Sequence, residues 1–170
     1  MTNEKYFHLY TGPLGVNTYI VINGNAGFVV DPGGDAQEIY SIFQKQKAKL
    51  EAILLTHAHF DHIGGVAELC RIASKGEDGK EDPQNAPTVF LHKDELEKIG
   101  SYKNLGFSMN ANPEKFVPDI LLKGGETLKI AGLDVKVIHT PGHAKGSVCY
   151  VVSDKIFTGD TLFFMSYGRT

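Results

Sequence analysis

The sequence predicts an α/β protein in which helices cover a sandwich of β-sheets. Strand-like runs come as hairpins at both ends of the chain, between Thr18 and Val30 and again between Leu128 and Thr158. Helical periodicity is interleaved between them, over 36–47 and 66–73. The run Ala52-Ile53-Leu54-Leu55-Thr56 is aliphatic without alternation, the pattern of a strand covered on both faces. A doubly wound parallel sheet would lack the paired hairpins, and an all-β barrel would lack the helices.

Taken in order, 6–10 alternates weakly, and 18–22 followed by 27–30 reads as a hairpin turning at Asn23-Gly24-Asn25. Asp31-Pro32-Gly33-Gly34-Asp35 is a turn cluster that opens a helix over 36–47, where Ile39, Ile42 and Phe43 recur at helical spacing. Beyond the strand 52–56 and the polar cluster 57–62, Gly64-Gly65 allows a close backbone approach, and 66–73 forms a helix with Leu69 and Ile72 inward. Residues 74–87 are polar and charged, with Pro83 and Pro87, and read as a flexible surface loop without chemistry. A short strand at 89–91 and a short helix at 93–99 follow, then an irregular stretch over 105–118. Residues 128–130 and 133–138 alternate as a hairpin whose second strand runs into His139-Thr140-Pro141-Gly142-His143. A last strand pair, 147–153 and 155–158, turns around Asp154 and ends in Gly159-Asp160.

A length of 170 residues suits one domain with a real core. The net charge of −3, without a long basic run, gives no electrostatic footprint for nucleic acid or an anionic membrane surface. No apolar run reaches the ~18 residues of a membrane span, and Met1-Thr2-Asn3-Glu4-Lys5 lacks the apolar region of a signal peptide. Cys70 and Cys149 both sit in apolar surroundings and read as buried free thiols, so the cytoplasm is the expected compartment.

The chemistry concentrates in His57-Ala58-His59-Phe60-Asp61-His62, at the end of the apolar strand. In an extended segment residues i and i+2 point the same way, so His57 and His59 can converge on one ion. Asp61 and His62 lie where the chain turns into a helix and can face a second ion or a metal-bound water. Imidazole and carboxylate suit zinc, and also iron or manganese. His143 follows a Pro-Gly turn that re-aims the chain, which makes it a better ligand candidate than His139 at the strand end. Asp160 emerges where a strand stops. One carboxylate can bridge two cations, although an aspartate after glycine is also a common turn residue. Asp31 reads as a turn residue or a support for a ligand, and His8 and His92 as structural.

Four segments carry a resemblance: Val30-Asp31-Pro32-Gly33-Gly34, Thr56 through Gly65, His139 through His143, and Phe157-Thr158-Gly159-Asp160-Thr161-Leu162-Phe163. In order and separation they resemble the metallo-β-lactamase superfamily, and within it the glyoxalase II branch, the hydroxyacylglutathione hydrolases. The resemblance implies an αββα sandwich of two mixed β-sheets with helices on the outer faces. It implies His57, His59 and His143 on one metal, Asp61 and His62 on a second, and Asp160 bridging. The implied reaction is hydrolysis of a small-molecule thioester such as S-lactoylglutathione by a metal-bound hydroxide. The ions would be two divalent cations, zinc first, with iron or manganese as alternatives. Asp61 would both bind the second ion and orient the hydroxide. Histidine rather than glutamate at position 59 speaks against flavodiiron relatives.

Arg169 falls near the place where those enzymes carry a basic residue that contacts glutathione; as a lone arginine it reads first as a solvated surface charge. The family motif continues past the position of Thr170 to a final histidine ligand. Residues 1–170 are therefore expected to form a single, C-terminally incomplete domain whose second metal site is weak, empty or completed by solvent. Two alternatives stand beside the hydrolase: a mononuclear-iron persulfide dioxygenase, which shares the scaffold and a Gly-Arg-Thr ending, and a non-catalytic metal-binding fragment.

Overall fold

The computed structural model describes residues 4–75, 79–80, 82–106 and 111–170. Sheet one takes its six strands in chain order: β1 (Glu4–Thr11), β2 (Val16–Asn23), β3 (Ala26–Val30), β4 (Lys49–Leu54), β5 (Thr88–His92) and β6 (Ile120–Leu122). β1, β2 and β3 are joined by tight turns and pair antiparallel. From β3 onward the pairs are parallel. The crossovers carry α1 (Ala36–Gln46) between β3 and β4, then α2 (Phe60–Ile63) and α3 (Val66–Ala73) between β4 and β5. Sheet two holds β7 (Thr127–Ile130), β8 (Leu133–His139), β9 (Val148–Val152) and β10 (Lys155–Phe157), ordered β10-β9-β8-β7. Its hairpin connections make it antiparallel throughout rather than mixed.

Strand alternation divides the apolar residues of sheet one between two cores. Ile20, Ile22, Val29, Ile53 and Leu55 face the helices and meet Ile39 and Phe43 of α1 and Leu69 of α3. Val21, Phe28, Val30, Ala52 and Leu54 face the other way, against Val135, Val137, Val148, Tyr150 and Val152 of sheet two. Phe43 and Ile53 are fully buried. Each such side chain contributes about 1.5–3 kcal/mol relative to exposure, which is what holds the layers together. The helical layer covers sheet one, whereas Asp134, Lys136 and Ile138 of β8 are exposed on the outer face of sheet two.

The hairpins and the helices 36–47 and 66–73 lie where the sequence pattern puts them, while the central strand, expected over 52–56, runs Lys49–Leu54 because its pairing with β3 begins at Ala26 opposite Lys49. Three other details differ. β1 is a full strand of eight residues paired along β2, although its alternation is weak. The segment at 93–99 is a 3₁₀ turn, Lys93–Lys98, and not an α-helix. β6 follows the irregular stretch as a three-residue strand. Residues 76–78 and 81 of the predicted loop, and 107–110 of the irregular stretch, lie outside the described residues. In the rest of the 74–87 segment, Asp82 caps a 3₁₀ turn over Pro83–Asn85 and its backbone N–H donates to Ser74 O at 2.7 Å. Both cysteines are free thiols, Cys149 buried and Cys70 half-buried. Among the described residues no helix is long and apolar enough to cross a membrane.

Candidate metal centre

β3 and β4 run parallel, and past a register shift between Gly27 and Phe28 their ends Val30 and Leu54 stand opposite each other, so the chain leaves both at the same rim. Asp31 follows β3 with φ of 50°, and its N–H continues the ladder to Leu54 O. This turn aims a buried carboxylate under the 56–62 segment. Asp31 Oδ1 accepts from Thr56 N at 2.7 Å, and Oδ2 accepts from Thr56 Oγ1 at 2.6 Å and from His62 Nδ1 at 2.9 Å. Asp31 thus supports a candidate ligand, His62, as well as shaping a turn. Thr56 Oγ1 in turn lies 3.1 Å from His57 Nδ1. With their Nδ1 atoms engaged, His57 and His62 present Nε2 forward.

The second half comes from sheet two. His143, after the Pro-Gly turn, donates from Nδ1 to the backbone carbonyl of Arg169 at 2.8 Å, which frees its Nε2. That Nε2 lies 2.9 Å from His59 Nδ1 and 3.3 Å from Asp160 Oδ2. Asp160 sits on a 3₁₀ turn, Gly159–Thr161, directly after β10, and its Oδ1 is 3.2 Å from His62 Nε2. The tail 168–169 closes over both residues: a Cβ on Gly168 would stand 1.9 Å from Asp160 O and 3.2 Å from His143 Nδ1. Sheet contacts behind the site fix the halves together, through Val148 N to Thr56 O at 2.9 Å and Tyr150 Oη to Leu55 O at 2.8 Å.

Two overlapping donor groups result, His57/His59/His143 and His57/His62/Asp160, each with donor atoms within 4.8 Å of one another. Donors bound at 2.0–2.1 Å to one tetrahedral ion lie about 3.3 Å apart, so a divalent cation fits with small side-chain shifts. The buried Nε2 atoms of His57 and His62 make no aligned hydrogen bond. A buried orphan polar atom costs about 1–3 kcal/mol, which ligation would relieve. Asp61 stands at the margin, outside both groups, with Oδ2 3.8 Å from His62 Nε2. Arg169 is exposed and reaches the site through its backbone carbonyl. His139 instead stacks on His92, with ring centroids 4.4 Å apart, and His8 pairs with Asn17 Oδ1 at 2.7 Å, as structural histidines do.

Electrostatics sort the ligands. Burial, with His62, His59 and His143 nearby, holds His57 well below the ordinary imidazole value. Burial, then Lys98 and His143, lowers His59 to about 3. Both are neutral near pH 7, the state that ligates. His62 behaves oppositely. Burial works against its charge, but Asp31 and Asp160 outweigh burial and raise it to about 10, so a cation entering there must displace a proton. Burial raises Asp61. Asp160 is held below the ordinary carboxylate value: burial opposes this, and His62 and His143 prevail.

Beside the second donor group opens a cavity of about 450 Å³. Asp61, His62 and Asp160 line its floor, and Leu14, Tyr19 and Phe163 line its walls. Two features of this region have no signature in the sequence. Thr56 reads only as the end of a strand, and the Arg169 carbonyl is a backbone atom that any residue would supply.

Comparison with known proteins identifies the family. The family model described as the metallo-beta-lactamase superfamily matches residues 11–170. A probable metallo-hydrolase, YqgX of Bacillus subtilis, is 33% identical over 98% of this chain and 75% of its own. A hydroxyacylglutathione hydrolase of Shewanella halifaxensis is 34% identical over 84% of this chain, which spans 45% of that relative. Among solved structures, the BLEG-1 B3 metallo-beta-lactamase superposes with a TM-score of 0.82 at 32% identity, covering 98% of this chain and 77% of that one. TTHA1623, solved in a di-iron-bound form, gives 0.77 at 33% identity, covering 96% and 76%. With the family model matching nearly the whole length and the paired donor groups in place, the chain belongs to the metallo-β-lactamase superfamily.

Proposed function

We propose that the protein is a metal-dependent hydrolase acting on a small-molecule thioester of the S-lactoylglutathione kind. The observation that carries the reading is the pair of overlapping donor groups, the second of which, through His62 and Asp160, borders a cavity lined in part by apolar side chains. His57, His59 and His143 would hold one divalent ion, and His62, Asp160 and Asp61 the second. A bound pair supplies a water-derived nucleophile at neutral pH and a Lewis acid for the carbonyl oxygen. Asp61, beside His62 and at the cavity floor, orients the attacking water. Asp31 holds His62 with Nε2 toward the ion, and the Arg169 carbonyl does the same for His143. The departing thiolate is a good leaving group and needs no dedicated acid. Leu14, Tyr19 and Phe163 line the cavity around the acyl group, and the exposed charge of Arg169 would suit the anionic end of the substrate. Support comes from the hydroxyacylglutathione hydrolases among the relatives.

The test combines elemental analysis of the purified protein with assays on the same sample. Expected are up to two ions per chain and release of thiol from S-lactoylglutathione. Oxygen uptake with glutathione persulfide in place of thiol release, with one iron bound, would overturn the reading in favour of a dioxygenase. The likeness to BLEG-1 makes a β-lactam the second substrate to assay, and its hydrolysis without thioester cleavage would also overturn it.

A further inference from the structure

A buried carboxylate touches both ligand-bearing loops and belongs to neither. Glu95 lies in the 3₁₀ segment after β5 and is 0% exposed. Its Oε2 accepts from the backbone N–H of Ala58 at 2.9 Å, between His57 and His59. Its Oε1 accepts from the backbone N–H of Gly146 at 2.9 Å, in the loop that carries His143. Lys98 Nζ, 2.8 Å from Oε2, balances the buried charge. Burial of a carboxylate is tolerated only when its charge and lone pairs are met, and here they are.

The approach depends on local fit. A Cβ on Gly146 would stand 2.7 Å from Glu95 Cγ and 2.7 Å from His92 Nδ1, so only glycine lets this loop come so close. His92 Nδ1 accepts from Asp94 N at 3.2 Å and fixes the start of the 3₁₀ segment, while its ring stacks on His139, which opens the 139–143 loop. The inter-sheet bonds at Leu55 and Thr56 lie behind the site. Glu95 joins the two halves at the level of the ligands themselves.

We propose that Glu95 is a positioning residue for the metal centre. One carboxylate fixes the spacing between the His57-Ala58-His59 segment of sheet one and the His143–Gly146 loop of sheet two, so that the three ligand nitrogens meet. The proposal rests on the metal-site reading above but not on the choice of substrate. A carboxylate is the side chain that suits this place, because each of its oxygens accepts and neither donates. Glutamine would turn an NH₂ toward one of the two backbone N–H groups. Aspartate keeps the charge but falls one methylene short of spanning both.

The experiment uses the full chain and its Glu95→Gln and Glu95→Asp variants, stripped of metal and reloaded with zinc or cobalt(II). Zinc affinity is read by competition with a chromophoric chelator, ligand geometry by the visible bands of the cobalt form, and the apo fold by near-UV circular dichroism. Both variants are expected to keep the apo fold, to bind zinc about 10- to 100-fold more weakly and to change the cobalt spectrum. Glu95→Asp separates geometry from charge, since a purely electrostatic role would leave it like the parent. Parental affinity and spectrum in either variant would overturn the proposal. So would collapse of the apo fold in both, which would assign Glu95 to the general core. A parent that binds metal normally yet cleaves no thioester would sink the proposed reaction and leave these readouts standing; a parent that binds neither metal would sink both.

Discussion

Asp31→Asn tests the support beneath the second donor group. The native carboxylate accepts at 2.6, 2.7 and 2.9 Å from Thr56 Oγ1, Thr56 N and His62 Nδ1. In asparagine the carbonyl oxygen can stay with Thr56 N, but the NH₂ then faces Thr56 Oγ1 and His62 Nδ1. Two bonds to a charged acceptor are lost, each worth about 1.5–3 kcal/mol. The hydroxyl can rotate and the imidazole can change tautomer, which leaves a net cost of about 2–4 kcal/mol. For a chain of this size that corresponds to a fall of roughly 5–15 °C in the melting temperature of the metal-free protein. Asparagine accepts a left-handed φ as readily as aspartate, so the backbone at 50° is not the cause. Without the Asp31 charge the imidazole gives up its extra proton and, accepting from the amide at Nδ1, keeps its hydrogen on Nε2, which weakens metal uptake there by about 10- to 100-fold. Calorimetry of the metal-free protein and chelator competition check the two halves. A melting temperature within about 2 °C of the parent, together with unchanged affinity, would refute the reasoning.

Three further outcomes are expected. The metal-free protein should be most stable near pH 6.5 and lose stability on both sides. The folded-state values of His57 and His59 lie below their unfolded value, so their contribution is complete above it and is lost as pH falls, for His59 toward about 3. His62 is raised to about 10, so its contribution is present below the unfolded value and is lost as pH rises toward 10. Each limb slopes by up to about 1.4 kcal/mol per pH unit per histidine, and urea unfolding between about pH 5 and 9 measures it; a steady rise in stability above neutrality would contradict it. Gly168→Ala places a methyl 1.9 Å from Asp160 O, which lifts the tail and takes the Arg169 carbonyl from His143. Zinc affinity in chelator competition should fall by about tenfold or more, with the apo melting temperature little changed. Tyr150→Phe leaves the buried Leu55 carbonyl without its 2.8 Å partner and should cost about 1–3 kcal/mol in urea unfolding, with metal stoichiometry unaltered.

The candidate donor set is legible in part from local geometry, since His57 and His59 alternate along an extended chain and His143 follows a Pro-Gly turn, whereas Asp160 alone reads as a turn residue and joins the set only through the family resemblance. The hairpins and helices were legible for the same reason, since their apolar residues recur at one period. Glu95 was not. In Lys93-Asp94-Glu95-Leu96-Glu97-Lys98 nothing distinguishes it from Glu97, which is exposed and pairs with Lys103 at 2.7 Å. Its burial depends on 3₁₀ winding and on a loop that arrives from 51 residues away. β6 escaped because it is a short edge strand with Ile120 and Leu121 both more than two-fifths exposed, so no alternation marks it. Asp31 was half legible: its turn chemistry showed, but its grip on His62, 31 residues on, is a tertiary fact.

The placement of the donors on both sheets has a mechanical consequence. His59 and His143 meet across 84 residues of chain. Ligands this distant that share one ion close a long covalent circuit, comparable in chain entropy to a cross-link worth roughly 4–5 kcal/mol, scaled by how fully the ion is held. The layers of the sandwich cannot then separate until that clasp opens. Resistance to unfolding in a loaded protein would then depend in part on the rate at which the ion leaves, and a chelator should lower it to that of the metal-free fold, which the apolar core between the sheets holds by itself.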